Sequence, residues 1–148
     1  MSIMVAYTNR TDSAPLVDAG VLHAGRAGTE LLLYHHAELH DTGADQGVDP
    51  EVRRLREARA DLHAVAAEVR LQGVACRAVV GTDDDDEPVE DLVRKVDEFD
   101  VEMLVIGVRS RSKVGKLLLG STAQDLLLTV PCPVLAVKTS DWEPRRRG

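Results

Sequence analysis

The chain has 148 residues, of which 44% are hydrophobic, and its formal net charge is −7. This length is enough for one domain with a single core, and no stretch approaches the roughly 18 consecutive apolar residues of a membrane span. The acidic balance argues against general nucleic-acid binding, which relies on a basic surface. Since the N-terminus shows no signal-peptide pattern, we expect a cytoplasmic protein with neither a nucleic-acid nor a membrane partner.

The first half of the chain predicts two strands and two helices. Ile3–Tyr7 is a short apolar run bounded by polar residues, which indicates a buried strand. A helix follows with Pro15 in its first turn, and Gly28 ends it. Glu30–His36 is a second apolar strand, and after a polar loop a strongly amphipathic helix begins at Pro50.

The second half continues this alternation of strands and helices. An acidic run at 83–87 precedes the third helix, where acids stabilise the positive N-terminal end. The predicted elements are, in chain order, a strand at Val74–Val80, a helix from Pro88, a strand at Met103–Ile106, a helix at Ser121–Thr129 and a strand at Val134–Val137.

Five strands that are apolar on both faces predict a parallel sheet covered by helices on both sides. Right-handed crossovers then give a doubly wound α/β domain over residues 1–138. Residues 139–148 form a polar tail that we expect to be disordered or loosely attached. Such sheets bind ligands at the carboxyl ends of their strands, so the loops after Tyr7 and Gly107 are the candidates.

The segment Leu104–Lys138 predicts a site for a phosphate-sized anion. A strand ends at Gly107, a polar loop follows, and a helix is entered at Gly120 and Ser121. Unpaired N–H groups and a partial positive charge at a helix start attract anions. The loop contains four basic residues and no acid between 109 and 116. These side chains either reach a phosphate, or are solvated or paired with the acidic run at 83–87.

Three sharper motifs are rejected. The chain has no P-loop, because the first glycine is missing and Leu117 stands where Ser or Thr should follow Lys116. We predict no metal site, because His35 and His36 point to opposite faces of a strand and no second cluster completes a ligand set. Ser121 has no activating histidine nearby in sequence, so no catalytic residue is predicted.

The same region resembles the universal stress protein family, with a likeness that extends over about residues 3–138. The family signature is glycine, two residues, glycine, nine residues, then glycine and serine or threonine. Here it reads Gly107, two residues, Ser110, nine residues, Gly120 and Ser121, followed by a helix and a Pro-Cys-Pro-Val-Leu-Ala-Val-Lys segment that ends at Lys138. The resemblance implies a five-stranded sheet of order 3-2-1-4-5, ATP bound between the first and fourth strands, and a homodimer formed through the last strand.

The resemblance also implies which residues line the nucleotide. Thr8 takes the place of the family's aspartate at the nucleoside, and His36 is the alternative to His35 beside the base. The predicted site comprises Thr8, His35, Gly107, Arg109, Ser110, Arg111, Gly120, Ser121 and Thr122.

Two hypotheses for the function follow. The first is a small homodimeric stress-response module that binds an adenine nucleotide, namely ATP with or without Mg²⁺, and acts through a protein partner. The second is a structural or partner-binding dimer that has lost nucleotide binding, because Thr8 and Ser110 replace typical binding residues. Enzymatic activity is at most a slow ATPase, since no general base is evident.

Overall fold

The computed structural model describes residues 1–36, 50–81, 88–108 and 120–139. The predicted acidic run at 83–87, the basic loop at 109–116 and the tail beyond Thr139 lie outside these residues. None of the described helices is long and apolar enough to cross a membrane. The elements are β1 (Ser2–Ala6), α1 (Arg10–Ala27), β2 (Glu30–His35), α2 (Pro50–Leu71), β3 (Cys76–Val80), α3 (Pro88–Glu98), β4 (Val101–Val108), α4 (Ser121–Thr129) and β5 (Val134–Lys138).

The five strands form one parallel sheet in the order β3-β2-β1-β4-β5, which confirms the predicted doubly wound fold. Each strand places alternate residues on opposite faces. In β1, Ile3 and Val5 pack on one face against α1 and α2, and Met4 packs on the other against α3 and α4. Helices therefore cover both faces, and the apolar runs in the sequence reflect burial from both sides.

Helix α1 begins at Arg10, so the prediction that Pro15 lies in its first turn is wrong. The Asn9 side chain caps the helix, since its oxygen accepts from the Asp12 amide at 2.8 Å. The Asn9 amide group also donates to the Asp12 carboxylate at 2.8 Å. This cap fixes the start one turn before the proline, which then forgoes one backbone hydrogen bond inside the helix. Gly28 ends α1 in the left-handed conformation, as predicted (φ 66°).

Strand β4 is longer than predicted, because it runs from Val101 to Val108 and includes the polar Glu102. It is the fourth of the five strands, and it pairs with β1 on one side and β5 on the other. Backbone hydrogen bonds to both neighbours extend the strand beyond its apolar centre, and the register shifts where Glu102 faces the pairing of Ser2 and Ile3.

Two glycines of α1 are expected to respond in opposite ways to alanine. A Cβ at Gly20 would lie 2.8 Å from Leu31 Cδ1 and 3.0 Å from Val5 Cγ2, because the helix approaches the sheet closely there. At Gly25 the nearest atom would be Val74 Cγ2, at 3.8 Å. Gly20→Ala should therefore lower the free energy of unfolding by about 1–3 kcal/mol. Gly25→Ala should raise it by about 0.5–1 kcal/mol through helix propensity.

Urea denaturation of both variants, compared with the unmodified protein, measures these changes. Because both substitutions lie in one helix and add the same methyl group, equal shifts of the midpoint would contradict the close approach at Gly20.

Candidate functional site

The described residues of the predicted site lie at the carboxyl edge of the sheet. Thr8 follows β1, and His35 ends β2. Gly107 lies near the end of β4, beside β1, and Gly120 precedes α4. The chain leaves β1 toward one face of the sheet and leaves β4 toward the other, so this edge is where strand order reverses. Arg109, Ser110 and Arg111 are also part of the predicted site and lie outside the described residues.

Thr8 is held by the start of α1. Its backbone N–H donates to the Ser13 hydroxyl oxygen at 2.9 Å, and the Thr8 and Ser13 hydroxyl oxygens are 3.3 Å apart. Ser13 is only 1% exposed. Sequence reasoning missed Ser13, although a serine in the first turn of a helix, five residues after a strand end, is a typical partner for such a turn. The partly exposed Thr8 hydroxyl therefore has a defined position at the end of β1.

His35 is bound to the backbone of β1. Its Nδ1 lies 2.9 Å from the Tyr7 carbonyl oxygen, and because a carbonyl only accepts, Nδ1 carries the proton. The Tyr7 amide in turn donates to the Tyr34 carbonyl at 2.7 Å. The rings of His35 and Tyr7 also meet edge to face, with centroids 6.4 Å apart. The imidazole is thus held on the face covered by α1 and α2, where Tyr7 packs.

The Tyr7 hydroxyl is buried and has no hydrogen-bond partner in the described part of the chain. Burial raises the pKa of Tyr7 to about 12, and the negative charge of Asp61 adds to this effect. Ionisation of this phenol is therefore strongly disfavoured in the folded protein.

Stability is expected to fall at alkaline pH. Below pH 10 Tyr7 is neutral in both the folded and unfolded states, so its contribution is complete; between about pH 10 and 12 it ionises only in the unfolded chain. The loss is at most about 1.4 kcal/mol per pH unit for each such group. Urea midpoints at pH 8 and pH 11 measure it. Tyr7→Phe should decline less steeply, and an identical decline would contradict this assignment.

A second buried polar cluster joins β2, β3 and α3 on the opposite face. The Tyr34 hydroxyl donates to Asp91 Oδ2 at 2.5 Å, and an Arg94 guanidinium nitrogen lies 3.3 Å from Asp91 Oδ1. Asp91 is 1% exposed although it lies in the first turn of α3. Burial and the bond to Asp91 both raise the pKa of the Tyr34 hydroxyl. The phenol therefore stays neutral and acts as the donor to the carboxylate.

Gly81 allows this cluster to close. A Cβ at this position would lie 2.3 Å from His36 Cδ2, 2.7 Å from the Tyr34 hydroxyl and 2.8 Å from Asp91 Oδ2. His36 therefore belongs to this cluster, whereas His35 lies on the other face, as the alternation of a strand requires. The sequence offered one sign of the cluster, an acid next to the buried stripe of α3, which was read only as a helix-terminal charge.

Gly107 has a packing reason of its own. A Cβ there would lie 2.9 Å from Thr139 Cγ2 and 3.4 Å from Leu16 Cδ1. Thr139 is buried, and its amide donates to the Val108 carbonyl at 3.0 Å. Glycine at this point thus lets α1 and the end of β5 approach β4.

The start of α4 leaves its first backbone donors open. Gly120 is the N-cap, with φ −61° and ψ 160°, and no side chain caps the helix. Its carbonyl accepts from the Gln124 amide at 3.0 Å, which is the first hydrogen bond of the helix. The amides of Ser121 and Thr122 precede that bond, and a Cβ at Gly120 would meet no atom within 4 Å. Open donors, partial positive charge and free space together suit an anion.

Comparison with known proteins agrees with this geometry. The model of the universal stress protein family matches residues 1–138. A universal stress protein of Mycolicibacterium smegmatis is 41% identical over 138 residues, which cover 92% of this chain and 96% of that protein. The structure of a universal stress protein from Archaeoglobus fulgidus has a TM-score of 0.74 at 28% identity, and the match covers 92% of this chain and 97% of that one.

A second structure from Archaeoglobus fulgidus, a universal stress protein in complex with dAMP, shows the same fold. Its TM-score is 0.67 at 24% identity, with 92% of this chain and 96% of that chain covered. The family model and the close relative span the strands, the four helices and the uncapped start of α4 described above. On this evidence the chain belongs to the universal stress protein family.

Proposed function

We propose that this protein binds an adenine nucleotide at the carboxyl edge of β1 and β4, with the phosphate at the N-terminus of α4. The observation that carries the proposal is the open start of this nine-residue helix, whose cap is a glycine without a side chain. Membership of a family with a relative of the same fold in complex with dAMP supports an adenine nucleotide as the ligand. The finer form of the proposal is ATP, with or without Mg²⁺.

Each predicted residue has a role in this proposal. The amides of Ser121 and Thr122 donate to the phosphate, and Gly120 keeps the approach open. Thr8 contacts the nucleoside at the end of β1, and His35 lies toward the base. The list is completed by Gly107, which keeps the end of β4 close-packed, and by the loop residues Arg109, Ser110 and Arg111, assigned to the phosphates as donors.

Ligand-dependent thermal unfolding tests the proposal. AMP, ADP and ATP at millimolar concentration, each with and without Mg²⁺, should raise the unfolding temperature by several degrees, because a ligand that binds only the folded state stabilises it by mass action. Protein denatured directly after purification should also release nucleotide into the supernatant. No shift with any of these nucleotides, together with no released nucleotide, would contradict the proposal.

The same proposal includes a cytoplasmic homodimer formed through β5 that acts as a regulatory module. In the described sheet β5 is an outer strand, and Ala136 and Lys138 are exposed. Leu104 N–H donates to the Pro133 carbonyl, and Thr139 N–H donates to Val108, so the odd-numbered residues of this segment bond to β4. The backbone groups of Val134, Ala136 and Lys138 therefore point to the open edge, where a second β5 can pair.

Ala136→Pro is expected to convert the dimer into a folded monomer. Proline removes the N–H of residue 136, which points away from β4, so the internal ladder keeps its bonds while pairing across the edge loses a donor. Light scattering after size-exclusion chromatography should give the mass of one chain instead of two. Ala136→Thr retains the N–H and should remain dimeric. A dimer with Ala136→Pro would show that another surface forms the interface.

A further inference from the structure

We infer that the nucleoside end of this site does not distinguish ribose from 2′-deoxyribose. The inference rests on the proposed function and concerns the side chain at the end of β1. That side chain is Thr8, a single hydroxyl already engaged by Ser13. A protein that recognises ribose through its two hydroxyls needs a group that accepts from both, and Thr8 is not such a group.

The contacts of Thr8 limit what its hydroxyl can offer. Ser13 Oγ accepts from the Thr8 backbone N–H at 2.9 Å, so the Ser13 oxygen is held at the turn. It also lies 3.3 Å from Thr8 Oγ1, and either oxygen can be the donor in that pair. If Ser13 donates, one lone pair of Thr8 is used; if Thr8 donates, its proton is used. In both cases the hydroxyl keeps only part of its capacity for a ligand.

Ribose presents its 2′ and 3′ hydroxyls as neighbouring donors. A carboxylate accepts from both with charge-assisted bonds, which is why an acid commonly reads the 2′-hydroxyl in nucleotide sites. A neutral hydroxyl that accepts one bond contributes less, so loss of the 2′-hydroxyl should change affinity by no more than about threefold.

Two described acids at this end of the molecule are engaged elsewhere. The Asp12 carboxylate accepts from the Asn9 amide at 2.8 Å within the cap of α1. The Asp91 carboxylate is buried beneath the Tyr34 hydroxyl on the side of α3. Neither carboxylate takes the place of an acid at residue 8, so the sugar meets the Thr8 hydroxyl at this strand end.

The experiment compares AMP with 2′-deoxy-AMP by isothermal titration calorimetry. The unmodified protein should bind both with dissociation constants within about threefold of each other. Thr8→Asp should bind AMP at least tenfold more tightly than 2′-deoxy-AMP, because the new carboxylate accepts from both ribose hydroxyls while Ser13 donates to it. Thr8→Asn has nearly the same shape without the charge and should show no such preference.

The outcomes separate this inference from the proposed function. A tenfold or greater preference of the unmodified protein for AMP would overturn the inference alone. A lack of any ribose preference in Thr8→Asp, with binding intact and unfolding temperature preserved, would also overturn it. Failure of both nucleotides to bind to all three proteins would overturn the proposed function and the inference with it.

Discussion

Replacement of Tyr34 with phenylalanine is expected to destabilise the protein by about 1.5–3 kcal/mol, whereas the same change at Tyr7 should leave stability unchanged or raise it. Both tyrosines are buried near the carboxyl ends of neighbouring strands. The Tyr34 hydroxyl donates to the Asp91 carboxylate, and its loss leaves a buried charge without that donor. The Tyr7 hydroxyl has no partner among the described residues, so its removal abolishes a desolvation cost and breaks no bond.

Thermal and urea unfolding at pH 7 measure both variants. For a domain of this size the loss at Tyr34 corresponds to a decrease in unfolding temperature of about 3–12 °C. The two substitutions delete the same atom in similarly buried surroundings, so a difference between them isolates the hydrogen bond to Asp91. Equal destabilisation would show that the Tyr7 hydroxyl has an energetically important partner, or that the bond of Tyr34 contributes little.

Gly120→Asp is expected to weaken nucleotide binding at least tenfold while stability stays the same or rises by about 0.5 kcal/mol. The backbone at Gly120 has an extended conformation that any residue adopts, and a Cβ meets no atom within 4 Å. An aspartate there caps α4, because its carboxylate accepts from the first amides of the helix. The same carboxylate occupies the donors that the proposal assigns to phosphate and repels the phosphate charge.

Calorimetric titration with AMP and unfolding of the ligand-free variant test both halves of this expectation. Gly120→Asn is the matched control, since it caps the helix without a charge and should weaken binding less than aspartate does. Opposite movement of stability and affinity would be difficult to obtain from a folding defect. Unchanged affinity in Gly120→Asp would mean that the phosphate lies away from α4.

The outline of the fold could be read from local patterns in the chain. Strands apolar on both faces and helices with one apolar stripe predicted the doubly wound sheet, and the family resemblance implied its strand order. The start of α1 was misplaced because the prediction rested on Pro15, whereas the Asn9 cap decides it. The extent of β4 was underestimated because pairing with two neighbouring strands carries Glu102 into the sheet despite its polarity.

The candidate site was predictable where it depends on adjacent residues, and unpredictable where it depends on distant ones. Gly120 and Ser121 could be recognised because a cap and its helix are contiguous in sequence. The contact of Tyr34 with Asp91 joins residues 57 positions apart, and no local pattern encodes it. The glycine at 81 likewise has a reason only once His36, Tyr34 and Asp91 surround it.

The sequence by itself determined the alternation of strands and helices and the uncapped start of α4, because both follow from periodicity and from neighbours along the chain. Only the tertiary structure decided that Ser13 holds Thr8, that His35 and His36 serve opposite faces, and that Asp91 is buried. These features arise when separate elements are packed together and polar groups taken out of water must find partners, a requirement that acts in space and not along the chain.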